Sequence, residues 1–260
     1  MTTTFTSYRL LASDLPRSIE RVSEEPLVAR ETDYFRGAIG NVKSIDEFMA
    51  DDRIYRYALK AHGLEDMAYA KAFIRKVLTE GVTNDESFAN KLADTRYKEL
   101  AQAFNFETHG AAATSFDAAQ QKTIDKYMRQ TLEESAGADN SGVRLALYFE
   151  RMAPRLENTY EILADEALAE VVRTSLNLPD EFAATDIDKQ AAYFEDQFSL
   201  DDFKDPAKLG DFIDRFTTLW EMKNQPQGTP NTSGLFGTQG AAGISPDLLL
   251  SINTLKLGGR

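Results

Sequence analysis

Cysteine is absent from the 260 residues, which excludes disulfides, thiolate metal sites and cysteine nucleophiles, although it leaves the compartment open. Histidine is nearly absent: the two present, His62 and His109, are too few for a histidine-rich metal site. No apolar run reaches the 18 or so residues that cross a membrane, so no span is expected. The opening Met1-Thr-Thr-Thr-Phe5 lacks the basic and apolar regions of a secretory signal, so no cleavable signal is expected. Runs of period-two alternation, the mark of a half-buried strand, are also missing. Surplus positive charge is lacking: the net charge is −13. Residues 105–224 carry most of it, with 12 basic and 24 acidic side chains. That field argues against nucleic acid and anionic lipid as partners. It fits solubility, a salty environment, or a basic protein partner.

With 42% hydrophobic and 27% charged residues, the chain has material for a sizeable core. Its main organising feature is a repeat. Tyr34-Phe35 recurs as Tyr148-Phe149, and the same displacement of 114 positions carries Glu47 onto Glu161, Ala50-Asp51 onto Ala164-Asp165, Leu64 onto Leu178 and Asp66 onto Asp180. These are 7 identities in the 37 ungapped positions of 31–67, where about two are expected by chance. Apolar spacing is helical almost throughout. An irregular start precedes helices expected over 14–24 and from Pro26 to about Ile39. Ser44-Ile-Asp-Glu47 is a capping box, and Asp51 or Asp52 caps the next helix, which stops at Gly63. Helices are expected over 66–79 and, from a second box at Thr83-Asn-Asp-Glu86, to about Phe104 with a break near Asp94. The second copy has a helix over 116–134, a turn over 137–142, and Asn158-Thr-Tyr-Glu161 in place of the Ser44 box. Further helices span 165–175, 186–198 and 207–222, the last opened by Asp205-Pro206.

The composition changes at Asn224. Residues 225–243 are rich in Gly, Pro, Asn, Thr, Ser and Gln, the composition of a linker. A short amphipathic segment follows, with Leu248, Leu249, Ile252 and Leu255 on one helical face. This face either folds back onto the body or docks on a partner, and these four residues are the candidate partner-binding set.

Catalytic motifs are scarce. Gly237, Gly240 and Gly243 lack the Gly-Lys-Ser/Thr of a phosphate loop. Asp186-Ile-Asp188 opens like a calcium loop, but Ala191 stands where the turn needs glycine and Gln197 where the bidentate glutamate belongs. The acidic pairs Glu24-Glu25, Asp51-Asp52, Glu133-Glu134 and Asp201-Asp202 read as helix-end charges, and His62 as a cation at a helix C-terminus. A basic cluster, Lys71, Arg75, Lys76, Lys91, Arg96 and Lys98, reads as a solvated face or a face turned to the acidic second copy. No catalytic residue, metal ligand or cofactor site is expected.

Three stretches carry a family resemblance: Thr6-Ser-Tyr-Arg-Leu-Leu-Ala12; Ser44 to Phe48 with Asp52 to Met67; and Tyr97 to Phe106. They resemble an uncharacterised alphaproteobacterial family, a domain of unknown function whose members are often encoded among flagellar genes. The resemblance implies no activity, and at most a role in flagellar assembly or motility. It fits a cytoplasmic protein, or one exported to the flagellum without a cleavable signal. The expectation is an all-α protein of two similar units, residues 1–109 and 110–224, followed by a flexible segment, 225–260. Its expected role is non-enzymatic protein–protein contact, with self-association compatible. A small-molecule or peptide binder, or a hydrolase, with a cleft between the units is the rival. An acidic cytosolic chaperone of an exported protein is a third reading.

Overall fold

The computed structural model describes residues 2–224, and among them every regular element is helical. The segment bearing Leu248, Leu249, Ile252 and Leu255 lies outside the described residues. The chain runs through α1 (Thr4–Ser13), α2 (Leu15–Ser23), α3 (Pro26–Ala38), α4 (Ile45–Ala50), α5 (Asp52–Ala61), α6 (Lys71–Glu80), α7 (Thr95–Ala103) and α8 (Phe106–His109). It continues with α9 (Gln121–Asp139), α10 (Ser141–Met152), α11 (Thr159–Ala164), α12 (Glu166–Ser175), α13 (Ile187–Gln197) and α14 (Pro206–Asn224). Short 3-10 turns fill many of the joints. No described helix is long and apolar enough to cross a membrane.

The repeated sequence folds to repeated local structure. At the displacement of 114 positions, α4 and α11 begin and end together, as do α5 and α12, and the turns 39–41 and 153–155 coincide. The caps correspond. Ser44 Oγ accepts from Glu47 N at 3.1 Å, and Asn158 Oδ1 accepts from Glu161 N at 3.1 Å. Asp51 and Asp165 each accept two backbone N–H groups at the next helix start. Tyr34 donates to Asp51 at 2.6 Å, and Tyr148 donates to Asp165. Both helices end on a left-handed residue, Gly63 (φ 69) and Asn177 (φ 53), types that tolerate positive φ. Phe35 and Phe149 are wholly buried. Packing partners match too: α3 lies on α5 and α10 on α12, α4 on α6 and α11 on α13.

Two apolar cores result. One gathers buried residues from Val22 to Leu132, and the other Tyr8 with residues from Val143 to Phe216. Division at residue 110 would place α1 with the first core and α9 with the second. Instead Tyr8 of α1 sits in the second core, because α1 packs along α10 and α14. Ile124, Tyr127, Met128 and Leu132 of α9 sit in the first, because α9 packs along α2 and α5. Each half therefore lends a helix to the other. The aromatic column Phe35–Tyr57–Tyr127 ties α9 in, with ring centroids 4.3 and 3.8 Å apart.

Several expected elements are corrected. The Thr/Ser-rich start is helical: Thr3 caps α1 by accepting from Thr6 N at 3.2 Å. Its buried face is only Thr4 and Tyr8, too sparse to read as a periodic stripe. Thr83 opens no helix. The Glu107 carboxylate accepts the N–H groups of Val82 and Thr83 at 3.2 and 3.3 Å, which holds that stretch as a loop, and α7 starts at Thr95 under an Asp94 cap. The helix expected from Asp66 starts at Lys71. The turn expected over 137–142 contracts to one residue, Asn140, which accepts from Gly142 N at 2.9 Å.

Gly142 marks a close helix crossing. A Cβ there would lie 2.3 Å from Trp220 Cδ1 and 2.8 Å from Thr4 Cγ2. Gly142→Ala is expected to cost about 1–3 kcal/mol by overpacking, against the gain from alanine's helix propensity. Urea unfolding checks it, and a stabilised variant would mean that α1 and α14 yield there freely.

Candidate functional site

Charged side chains collect where α5, α7, α9 and α10 meet. Glu133, 1% exposed, accepts from Arg129 Nε at 3.1 Å and from Arg151 Nε and Nη2 at 2.8 Å each. Arg129 also donates to Glu150 and to the Leu147 carbonyl, both at 2.9 Å. Burial opposes the Arg151 charge, but the Glu133 bond and field outweigh it, so its pKa lies above the usual arginine value. Alongside, Lys126 pairs with Glu99, which Arg155 approaches at 3.6 Å. Lys60 meets Glu134 at 2.6 Å. Each of these arginines and acids has a partner on another element, so the network fastens α9 to α10, α5 to α9 and α7 to α9.

His62 belongs to this joint. It is buried, and its Nδ1 lies 3.3 Å from Lys126 Nζ. An ammonium can only donate, so Nδ1 accepts and the proton sits on Nε2, which has no hydrogen-bond partner. Burial first, then the charges of Lys126 and Arg151, hold its pKa well below the ordinary 6.5. The expectation of a cationic histidine at a helix end is therefore corrected: the ring is neutral. The sign of its pH effect follows. The unfolded chain takes up a proton near pH 6.5 that the folded chain refuses, so stability falls as pH drops below about 6.5. The slope approaches about 1.4 kcal/mol per pH unit. His62→Leu, which installs the residue type of the second copy's Leu176, is expected to remove this component in urea titrations between pH 5 and 7. An unchanged slope would contradict the assignment.

Ion pairs hold this joint, and a hollow of about 280 Å³ lies between the halves where residues of 89–98 face Asn158, Tyr160 and Glu161. A wider concavity, an open groove of about 980 Å³, lies in the second half. One wall is the turn 154–159, the other the end of α13 with the turn 199–204. Leu156, Phe198 and Leu200 supply apolar surface, and Glu157, Glu195, Asp196 and Asp201 line it as carboxylates. Asn158 and Thr159 are held by capping and by a 2.9 Å bond from Thr159 Oγ1 to Glu195. Pro154 and Lys204 also line a second hollow of about 340 Å³ beside Tyr8 and Ile213, so the two are contiguous.

The residues singled out in the sequence disperse. Asp51 caps α5. Glu133, read as a helix-end acid, is buried within α9, because that helix continues to Asp139. Asp201 and Asp202 pair with Lys204 and Lys208 at 2.7 and 2.5 Å. Asp186 caps α13 rather than opening a calcium loop. Lys71, Arg75, Lys76 and Lys91 pair with Asp52, Asp46, Glu80 and Glu86 of the first half. Arg96 differs: it holds Asp94 and donates to the Gly63 carbonyl at 2.8 Å. His109 packs tilted against Phe116, with ring centroids 4.3 Å apart and planes at 40°. Of the groove residues, Asn158, Thr159, Gln197 and Asp201 stood out in the sequence only as parts of caps, an acidic pair or a failed calcium loop, and the two acids in the last turn of α13 were the only sign of Glu195 and Asp196.

These features define a class: an all-α body of two matching helical stretches with crossed end helices and an ionised joint. The chain belongs to the family DUF1217, described as a protein of unknown function, which matches residues 61–209. That span contains His62, Glu133 and the groove walls. Among solved structures, the chain is similar to an X-ray crystal structure of a protein from Agrobacterium tumefaciens, an alphaproteobacterium, solved as a structural-genomics target. The two are 59% identical, with a TM-score of 0.80, over 85% of this chain and 94% of that one. No curated protein matches.

Proposed function

We propose that this chain is a non-enzymatic helical scaffold that acts by binding another protein, and that its two stretches arose by internal duplication. The matched caps, turns and packing partners of α3–α5 and α10–α12 support the duplication. One observation carries the functional reading. The buried charges are spent on one another across the joint, while the second half carries a broad, open, acid-lined groove. Deep, enclosed pockets with a few convergent polar groups suit small substrates, and the groove has the opposite character. An acidic chaperone for an exported protein is the form of this role that the charge of residues 105–224 favours. Flagellar assembly or motility is the process we assign, on the resemblance to a family often encoded among flagellar genes. Deleting the gene in the native organism is expected to impair flagella or swimming, and normal swimming removes that assignment. Affinity capture with the full chain is expected to retain one stoichiometric partner. Its absence, together with turnover of a small substrate, would overturn the scaffold reading.

A further inference from the structure

The groove has an electrostatic peculiarity. The last turn of α13 holds no basic residue, and it carries Glu195 and Asp196. A helix C-terminus is the negative end of the macrodipole, so two carboxylates there are destabilising. Glu157 lines the opposite wall. None of the three has a cationic partner among the described residues: Glu195 accepts from Thr159, Asp196 from the neighbouring Gln197, and Glu157 engages Glu161 only through its backbone N–H. The two cations at the groove are already engaged, Arg155 near Glu99 at 3.6 Å and Lys204 with Asp201 at 2.7 Å. Like charge is thus concentrated around a concave surface at a cost to the fold. Violations of local rules of this kind concentrate at functional positions.

The shape selects among cations. Among the described residues, no three of His, Cys, Asp and Glu lie close enough together to hold a metal ion. The carboxylates come from both walls, and the partly buried Phe198 and Leu200 line the groove with them. The complement is a set of separated cations with an apolar side chain among them. The volume of about 980 Å³ is close to that of two turns of a helix 10 Å across, about 850 Å³. We propose that this groove binds a cationic amphipathic segment of a partner protein, its Lys or Arg side chains meeting Glu157, Glu195 and Asp196 and an apolar residue resting on Phe198 and Leu200. The assignment rests on the protein-binding reading above and names the surface and partner chemistry for it.

The test uses the full chain and two fluorescein-labelled peptides, an amphipathic Leu/Lys helix and its Leu/Glu counterpart, read by anisotropy. A groove variant carries Glu157→Gln, Glu195→Gln and Asp196→Asn. A control variant removes three exposed acids of the first half by Glu20→Gln, Glu24→Gln and Asp85→Asn. The Leu/Lys peptide is expected to bind the wild type, to lose affinity as salt rises, and to bind the groove variant about tenfold more weakly. The control is expected to change affinity less than about twofold. The groove variant is also expected to melt about 2 °C higher, as the like charge at the end of α13 is removed, so weaker binding cannot be ascribed to unfolding. Equal binding to wild type and groove variant, no binding of the Leu/Lys peptide, or equal binding of the Leu/Glu peptide overturns the assignment. If the groove variant instead changes the sedimentation of the protein alone, the occupant is a second copy and the assignment falls. A native partner captured equally by wild type and groove variant overturns this surface while leaving the protein-binding reading in place. Capture by neither overturns both.

Discussion

Glu133→Gln lowers the unfolding free energy by about 3–5 kcal/mol, the cost of breaking a buried ion pair by removing one partner. The carboxylate is 1% exposed and takes three guanidinium hydrogen bonds, one from Arg129 and two from Arg151. Side-chain exposure of the two arginines is 10% and 22%. An amide at this position returns one acceptor but no charge, and leaves two guanidinium groups largely out of water around it. Arg129 retains Glu150 and the Leu147 carbonyl, whereas Arg151 retains Gln130 at 3.3 Å, Met152 Sδ at 3.6 Å and the Tyr148 ring but no carboxylate, so Arg151 bears most of the loss. Urea unfolding at neutral pH measures the effect. The exposed pair Arg56–Asp52 is the comparison, with both side chains 57% exposed, and its removal costs about 0–1 kcal/mol. If Glu133→Gln cost no more than that, the joint would not be holding the halves together.

Phe35→Ala and Phe149→Ala each cost about 3–5 kcal/mol, a fall in melting temperature on the order of 10 °C for a body of this size. The two rings occupy corresponding positions in the two stretches and neither is exposed. Their surroundings differ. Phe35 stacks on Tyr57, which in turn stacks on Tyr127 of α9. Phe149 meets Phe203 at 5.2 Å and Phe212 at 5.4 Å, from the segment that opens α14. The matching backbone therefore supports unlike cores, and the two variants should be similar in magnitude. A cost below about 1 kcal/mol at either position would place that ring outside a packed core.

Much of this architecture could be read before the fold was seen, and the reasons are local. The boundaries of α4, α5, α11 and α12 follow from caps, because Ser44, Asp51, Asn158 and Asp165 act on backbone N–H groups two or three residues away. The left-handed ends at Gly63 and Asn177 are likewise local. Long-range pairing was not legible. Arg129 and Glu133 stand four residues apart, the spacing of an exposed helix pair, and only the fold shows Arg151 and Glu150 closing over them. The crossing of α1 into the second core depends on one Tyr8 ring and on bonds from Thr4 to Glu221, 217 residues away, at 2.6 and 2.9 Å. His62 looked like a helix-end cation because its neighbour Lys126 is distant in sequence. The groove was hidden for the same reason: its walls, the turn 154–159 and the end of α13 with the turn 199–204, meet only after α11 packs on α13.

Fusion of the two stretches into one cooperative body, fastened by Glu133 and its arginines, is tested most directly by differential scanning calorimetry of the full chain. The exchanged helices α1 and α9 and the buried ion pairs predict a single transition with a calorimetric to van't Hoff enthalpy ratio of about one. Glu133→Gln should move that transition to lower temperature as a whole. Two resolved transitions, or a Glu133→Gln variant that melts as the wild type does, would show two independent units and contradict the ionised joint.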